Sequence, residues 1–323
     1  MWNGVWNGSQ QYWRGLSEAI SHSIRAGHPE LRPEFCLTPA GEAELAARAP
    51  GSTRREIRAL DYIIALIYER SRIRMDRGKE ALIRSRLGKR MRALGIPSLP
   101  DYCHYLDSPE GAGEITRAID ALTTNFTHFM REREHFEFMV NEVLPGLLAR
   151  NQKQFGIWSA ACATGEEPYT IAFHLEERFP TAEGWNWRIQ ATDISTRALD
   201  KAVQGIYADE RLECLPRGWG SRYFQRGFGA CAGFCRVKRH LQERVSFRQM
   251  NLLEDQPDDG AFEIIFCRNV MIYFDRPTQE RLVNRLGRAL VPGGYLFTGR
   301  AESLNGLALP LRCLRPNIYQ KPS

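Results

Sequence analysis

Apolar residues recur at three- and four-residue steps through Ile57, Leu60, Ile63, Ile64 and Ile67, and again through Ile83, Leu87, Met91 and Leu94. That spacing places each set along one side of a helix, so two amphipathic helices are predicted, the second stopped by Gly95-Ile96-Pro97. Further helical patterns run through 115–122 and 135–148. Beyond residue 155 the texture changes to short β-rich runs, "FGIWSA", "WRIQATD", "VSFRQMN", "FEIIFCRN" and "GYLFTG", separated by helical patterns. Strands alternating with helices predict an α/β fold built on a parallel sheet covered on both faces. Between the second and third runs, the stretch from Gly205 to Leu241 is rich in Gly, aromatic and basic residues and too long for a plain connection. A small inserted antiparallel β-subdomain is expected there. The domain reading is therefore an all-helical domain over 51–135 and an α/β domain over 136–323, interrupted by the subdomain at 205–245.

Residues 1–50 show little sustained periodicity, and with their repeated Trp-Asn-Gly they read as an extension that is mobile or only partly helical, bounded by Pro50-Gly51-Ser52. The chain has 323 residues, 43% hydrophobic and 25% charged, which is ordinary for a globular protein with a full core. No run approaches the roughly 18 apolar residues of a membrane span, and no signal-peptide block opens the chain, so a cytoplasmic protein is expected. The eight cysteines include no paired metal-binding spacing, so reduced thiols and no metal are expected. A net charge of +6 is too modest to call for nucleic acid.

In an open α/β sheet the ligand sits beyond the carboxyl ends of the strands. After the first strand comes "WSAACATGEEPY", a loop with one glycine and a glutamate pair where phosphate-binding loops carry several glycines. A pyrophosphate would be repelled there, whereas a ligand with a cationic amino-acid head and a sulfonium would be attracted. Asp193, after the second strand, is placed to accept hydrogen bonds from ribose hydroxyls. Asn251-Leu252 follows the third strand, and Arg268-Asn269 the fourth, with Tyr273 just beyond. Upstream, "ALTTNFTHFMREREHF" holds Asn125, Thr127 and Arg131 close enough to converge on one ligand. Together these features point to S-adenosylmethionine rather than to NAD or ATP. Glu166 carries no assignment beyond a favourable charge at a helix start.

The motifs "SAACATGEEPYTIA", "LTTNFTHFMRE", "ATDIS", "NLLE", "FCRNVMIYFD" and "PGGYLFTGRAESL", in this order, resemble the chemotaxis-receptor protein-glutamate methyltransferases, the CheR family. The resemblance covers roughly residues 55–320. It implies a helical domain followed by a Rossmann-like S-adenosylmethionine-dependent methyltransferase domain with an inserted three-stranded β-subdomain. It implies cofactor contacts at Asn125, Thr127, Arg131, Glu167, Asp193, Asn251, Leu252, Arg268 and Asn269, with Arg131 and Tyr273 lining the transfer site. The product would be S-adenosylhomocysteine. The acceptors it implies are glutamate side chains on the cytoplasmic helical bundle of chemoreceptors, bound by a monomer that does not insert into the membrane. A receptor's C-terminal peptide is a further expected partner, met through a glycine-rich turn that Gly227, Gly229 and Gly233 match here. The chain departs from the family at Arg300, where many members read Gly-His-Ser-Glu against Gly299-Arg300-Ala301-Glu302, and at Met130, a position often aromatic.

A charge argument runs beside the resemblance. Arg84, Arg86, Lys89, Arg90 and Arg92 crowd one predicted helix with no acidic residue among them, and Arg86, Lys89 and Arg90 share a face. Such a face would draw a carboxylate-rich bundle. The acceptor glutamate, with a reference pKa of about 4.3, is already ionised at neutral pH and needs no general base. Alignment of carboxylate and methyl group, worth roughly 7–11 kcal/mol in favourable cases, would supply most of the catalysis. Two rival readings are a methyltransferase for small molecules or nucleic acid, for which no Asn-Pro-Pro-Tyr-like segment is present, and a module that only senses the cofactor.

Overall fold

The computed structural model describes residues 54–150, 153–180, 183–257, 259–307 and 309–323. The extension over 1–50, its Trp-Asn-Gly repeat and the Pro50-Gly51-Ser52 boundary lie outside the described residues. The rest clusters into two units, one ending at Ile63 and resuming over Leu87–Arg117, the other made of Ile64–Arg86 with Ala118–Ser323. Among the described residues the first four α-helices are α1 (Arg54–Ser71), α2 (Glu80–Leu94), α3 (Leu99–Asp107) and α4 (Ala112–Leu122). Of the periodic positions, Leu60, Ile63, Ile67, Ile83 and Leu87 are buried, as the spacing predicts. Ser98 caps α3 by accepting from Asp101 N at 3.2 Å, with Pro100 in the first turn, where its missing N–H costs nothing. Within the first unit, the buried Glu114 carboxylate receives the Arg90 fork at 2.8 and 2.6 Å and the Tyr102 hydroxyl at 2.9 Å. That pairing offsets much of the cost of burying a charge.

The second unit continues through α5 (Arg133–Phe138), a single π-helical turn at Met139–Val143, and α6 (Leu144–Ala149). Then follow β1 (Gln154–Ala160), α7 (Glu166–Arg178), β2 (Asn186–Asp193) and α8 (Thr196–Gln204). The insertion comprises β3 (Ile206–Ala208), α9 (Trp219–Tyr223), β4 (Phe224–Arg226), β5 (Phe234–Val237) and α10 (Arg239–Gln242). The chain returns to the main sheet with β6 (Val245–Gln249), β7 (Phe262–Cys267), α11 (Arg276–Ala289) and β8 (Leu290–Thr298), and ends in β9 (Arg312–Arg315) and β10 (Ile318–Gln320).

All five β-rich runs read from the sequence are strands of one sheet, ordered β6-β2-β1-β7-β8-β10-β9. The first five are parallel, and the last two pair antiparallel at one edge. The chain moves outward from β1 to β2 and β6, then crosses back to β7, so the order reverses between β1 and β7. Ala160 at the end of β1 lies opposite Thr192 of β2 and Cys267 of β7. The loops after these strands therefore emerge together. Alternate side chains enter two cores: Ile157 and Phe266 pack on one face of the sheet, Trp158 and Ile265 on the other. This double burial is why the runs read as nearly continuous apolar sequence. The insertion forms its own antiparallel sheet, β3-β5-β4, within the stretch that the sequence marks as too long for a loop.

Two histidines lie in this packing. His174 stacks on Phe136 at 5.5 Å and meets Trp219 edge-on at 4.8 Å, and His135 packs 5.8 Å from Phe297. Burial pushes both down to about 4. The unfolded chain thus binds more protons than the native one between the ordinary histidine value and 4, and stability falls as pH drops through that window. Each ring contributes up to about 3 kcal/mol of this loss. Equilibrium unfolding in urea between pH 7 and 4 should show the slope, and His174→Phe should make it shallower; an unchanged slope would contradict this role.

Candidate active site

A pocket of about 1190 Å³, counting its open mouth, lies at the carboxyl ends of β1, β2 and β7. It is lined by all ten residues that the sequence reading assigned to cofactor or transfer: Asn125, Thr127, Arg131, Glu167, Asp193, Asn251, Leu252, Arg268, Asn269 and Tyr273. This is the position at which a reversal of strand order opens a crevice.

The loop after β1 is shaped by backbone geometry. Ala161 and Ala163 take φ of +67° and +48°, a region that costs a residue with a Cβ energy, and Gly165 takes +95°. A Cβ on Gly165 would lie 2.8 Å from the Ala202 Cβ and 2.9 Å from the Tyr207 hydroxyl. The single glycine of the loop is thus the one position where both the dihedral and the space require it. Asp193 holds the strained loop in place: its Oδ2 accepts from Ala163 N at 2.8 Å and its Oδ1 from Ser195 N at 2.9 Å. These bonds use about two of the carboxylate's four acceptor directions. Burial pushes the Asp193 carboxyl up from its ordinary value, against the pull of those N–H groups.

Arg268 is the hub of the charged network, with a side chain only 1% exposed. It donates through Nη1 to Glu167 Oε2 at 3.2 Å, through Nε and Nη2 to Glu132 Oε2 at 3.3 and 3.1 Å, and through Nη2 to the Arg131 carbonyl. Its guanidinium also lies over the Phe136 ring, 5.3 Å from the centroid. Glu167 accepts from Ser159 Oγ at 2.6 Å as well. Burial raises the Glu167 carboxyl, and Arg268 opposes the shift. For Glu132, burial acts in the same upward direction, but Arg268, Asn269 and the Arg300 N–H hold it below the ordinary value.

The loop after β7 is fixed from beneath by Glu302, a buried carboxylate that accepts from four backbone N–H groups. These are Asn269 at 2.7 Å, Met271 at 2.6 Å, Ile272 at 3.2 Å and Gly299 at 2.6 Å. Any Cβ on Gly299 would fall 2.5 Å from Asn269 Nδ2 and 2.7 Å from Glu302 Oε2, so only glycine fits there. Asn269 itself has φ of +60° and donates its amide to Glu132 Oε1 at 3.1 Å. Asn251 spends its amide on local structure, accepting from Leu253 N at 3.1 Å and donating to the Arg70 carbonyl at 3.0 Å. Arg131 donates to the Phe126 carbonyl at 2.8 Å. The Asn125 amide and the Tyr273 hydroxyl have no partner among the described residues, and both line the pocket.

The remaining sequence candidates lie elsewhere. Arg86 donates to the carbonyls of Leu122 and Thr123 at 2.8 and 2.9 Å, at the carboxyl end of α4. Arg90 is committed to Glu114, and Arg84 pairs with Glu80 at 2.7 Å. The charges on α2 are therefore less unrelieved than the sequence suggests, because partners come from Glu80 in its first turn and from residues distant in the chain. Lys89 and Arg92 are exposed. Gly227 and Gly229 sit in the connection between β4 and β5; a Cβ on Gly227 would lie 2.1 Å from the Cys231 carbonyl oxygen, and Gly229 has φ of +58°. Arg300 turns outward to pair with Glu134 at 2.7 Å, while its N–H donates to Glu132 at 3.2 Å. Met130 is buried at φ of +57°.

Three carboxylates central to this geometry were not assigned from the sequence. Glu132 directly follows Arg131 and carries no spacing signal of its own. Glu302 stands in the sequence only as the last residue of Gly299-Arg300-Ala301-Glu302, since four backbone donors leave no trace in sequence. Glu166, read only as a helix-start charge, is 1% exposed and paired with Arg211 of the insertion.

A doubly covered, mostly parallel sheet with an antiparallel edge, an acid after β2 and a mixed-charge pocket at the strand reversal are the marks of an S-adenosylmethionine-dependent methyltransferase. Comparison with known families agrees: residues 125–319 match the CheR methyltransferase, SAM binding domain, and residues 58–123 match the CheR methyltransferase, all-alpha domain. The chain belongs to the CheR methyltransferase family. It is 41% identical over 246 residues to a chemotaxis protein methyltransferase of Escherichia coli K12, covering 76% of this chain and 84% of that protein. A chemotaxis protein methyltransferase of Salmonella typhimurium is 41% identical over 80% of this chain and 88% of its own length. Chemotaxis protein methyltransferase 2 of Pseudomonas aeruginosa is 42% identical over 78% of this chain and 89% of its own.

Proposed function

We propose that this enzyme transfers the methyl group of S-adenosylmethionine to glutamate side chains of chemoreceptors, forming methyl esters that serve sensory adaptation. The observation that carries the reading is the convergence of ten motif residues on one pocket in a chain of this family. In this reading Asp193 takes the ribose through its free acceptor directions, and Asn251 and Leu252 flank the base. Glu167 and Arg131 answer the ammonium and carboxylate of the methionine end. The acceptor carboxylate enters at the mouth, where Arg131 attracts it and Tyr273 donates a hydrogen bond to the oxygen that does not attack. The sulfonium loses its positive charge as the carboxylate loses its negative charge, so alignment and exclusion of water suffice without a base.

The helical bundle of a receptor's cytoplasmic part is the acceptor surface, and exposed Lys89 and Arg92 supply positive charge toward it. A receptor's C-terminal peptide has a second foothold on the β3-β5-β4 sheet, where β4 is an edge strand open to strand addition. Transfer of a labelled methyl group to receptor-containing membranes tests the proposal. Base-labile label on receptor protein is expected; label on nucleic acid instead would overturn it. Tyr273→Phe should lower kcat by tenfold or more while leaving the cofactor Kd within about threefold. Unchanged single-turnover transfer would remove the tyrosine from the mechanism.

A further inference from the structure

We propose that Arg211, which lies in the inserted segment and does not line the pocket, is a positioning residue for the cofactor loops. The inference rests on reading the pocket as the S-adenosylmethionine site. One nitrogen of Arg211, Nη2, bridges the two loops that form one side of the pocket. It pairs with Glu166 Oε1, at the start of α7, and donates to the Thr127 carbonyl at 2.7 Å. A guanidinium nitrogen carries two hydrogens, so each acceptor takes one. Thr127 lines the pocket, and Glu166 stands beside Glu167, which also lines it.

The second observation is the state of Glu166. Its side chain is 1% exposed, and among the described residues its carboxylate is hydrogen-bonded by Arg211 and by the Thr164 hydroxyl, the latter at 2.6 Å. A carboxylate buried to that extent is tolerated because a cation answers it. That cation comes from the insertion, although the insertion contributes no residue to the pocket wall. Arg211 is also one of several such contacts. The Tyr207 hydroxyl donates to the Thr164 carbonyl at 2.8 Å, Cys214 Sγ to the Phe129 carbonyl at 3.2 Å, and Arg133 to the Cys214 carbonyl at 3.1 Å. Residues 207–214 thus brace both loops from outside. The braced loops need this support: Ala161, Ala163 and Met130 all hold left-handed dihedrals that persist only when their surroundings fix them. The insertion accordingly has a structural duty toward the cofactor, in addition to any binding of its own.

The test measures S-adenosylmethionine affinity by calorimetry on the full chain, together with kcat at saturating cofactor. Arg211→Met should raise the cofactor Kd ten- to a hundredfold and change kcat at saturation by less than threefold. Adding Glu166→Gln, which removes the stranded charge, should recover at least half of the loss on a logarithmic scale. Arg211→Lys should fall between wild type and Arg211→Met, and it keeps the test open if Arg211→Met does not fold. Wild-type affinity in both single variants, or no recovery in the double variant, would overturn the positioning role. Failure of the wild-type chain to bind, or full binding by Asp193→Ala, would instead overturn the reading of the pocket, and the proposal with it.

Discussion

Arg268→Met is expected to abolish measurable cofactor binding and to lower the melting temperature by about 10 °C. The side chain is nearly inaccessible and satisfies Glu132, Glu167 and the Arg131 carbonyl at once. Removing it takes the shared cation from two carboxylates, leaving Glu167 the Ser159 hydroxyl and Glu132 the Asn269 amide and the Arg300 N–H. Breaking a buried ion pair by deleting one partner costs roughly 3–5 kcal/mol, and at about 2–4 °C per kcal/mol for a domain of this size the shift follows. The same residue ties the loop after β7 to the Arg131–Glu132 segment, so both walls of the pocket lose their register. Arg268→Lys keeps the charge but cannot bridge two carboxylates with a planar fork, and it should fall between the two. Calorimetry and thermal melts of the three proteins decide the matter; a stable Arg268→Met that binds the cofactor would contradict the network described above.

Glu302→Gln is the second large effect expected. The native carboxylate offers acceptors to four backbone N–H groups, and a glutamine would turn an NH₂ toward some of them. Unpaired buried donors cost about 1–3 kcal/mol each, so stability should fall by roughly 2–4 kcal/mol. The functional loss should be larger than the stability loss suggests, because Glu302 fixes the turn Met271–Tyr273 as well as Asn269. A displaced Tyr273 no longer faces the acceptor, and kcat/KM should drop at least tenfold even below the melting transition. Urea unfolding at neutral pH and transfer assays at low temperature separate the two losses. Wild-type activity in a folded Glu302→Gln would show that the turn does not depend on this clamp.

The periodicity from Ile57 to Leu94 and the five β-rich runs made the helices and the parallel strands legible, because each buries a regular set of apolar side chains. The antiparallel strands β9 and β10 were not: Arg312-Cys313-Leu314-Arg315 alternates too weakly, and three residues at Ile318–Gln320 are too few to carry a period. In the pocket, the residues directly after each strand could be named because sheet topology dictates where a ligand sits. Their supports could not. Glu302 reaches the Met271 N–H 31 positions away and Arg211 the Thr127 carbonyl 84 positions away, backbone groups that any residue possesses, and Glu132 meets the Arg268 guanidinium 136 positions away. The partner of Arg90 on α2 was hidden for a similar reason, since Glu114 stands 24 residues away.

The most direct test of the central claim is to identify the modified atom. Purified enzyme, labelled S-adenosylmethionine and a receptor's cytoplasmic fragment should yield a peptide whose added methyl group maps by mass spectrometry to a glutamate side chain, and mild base should release it as methanol. A methyl group on nitrogen, on sulfur or on a small molecule, with no glutamyl ester formed, would contradict the account.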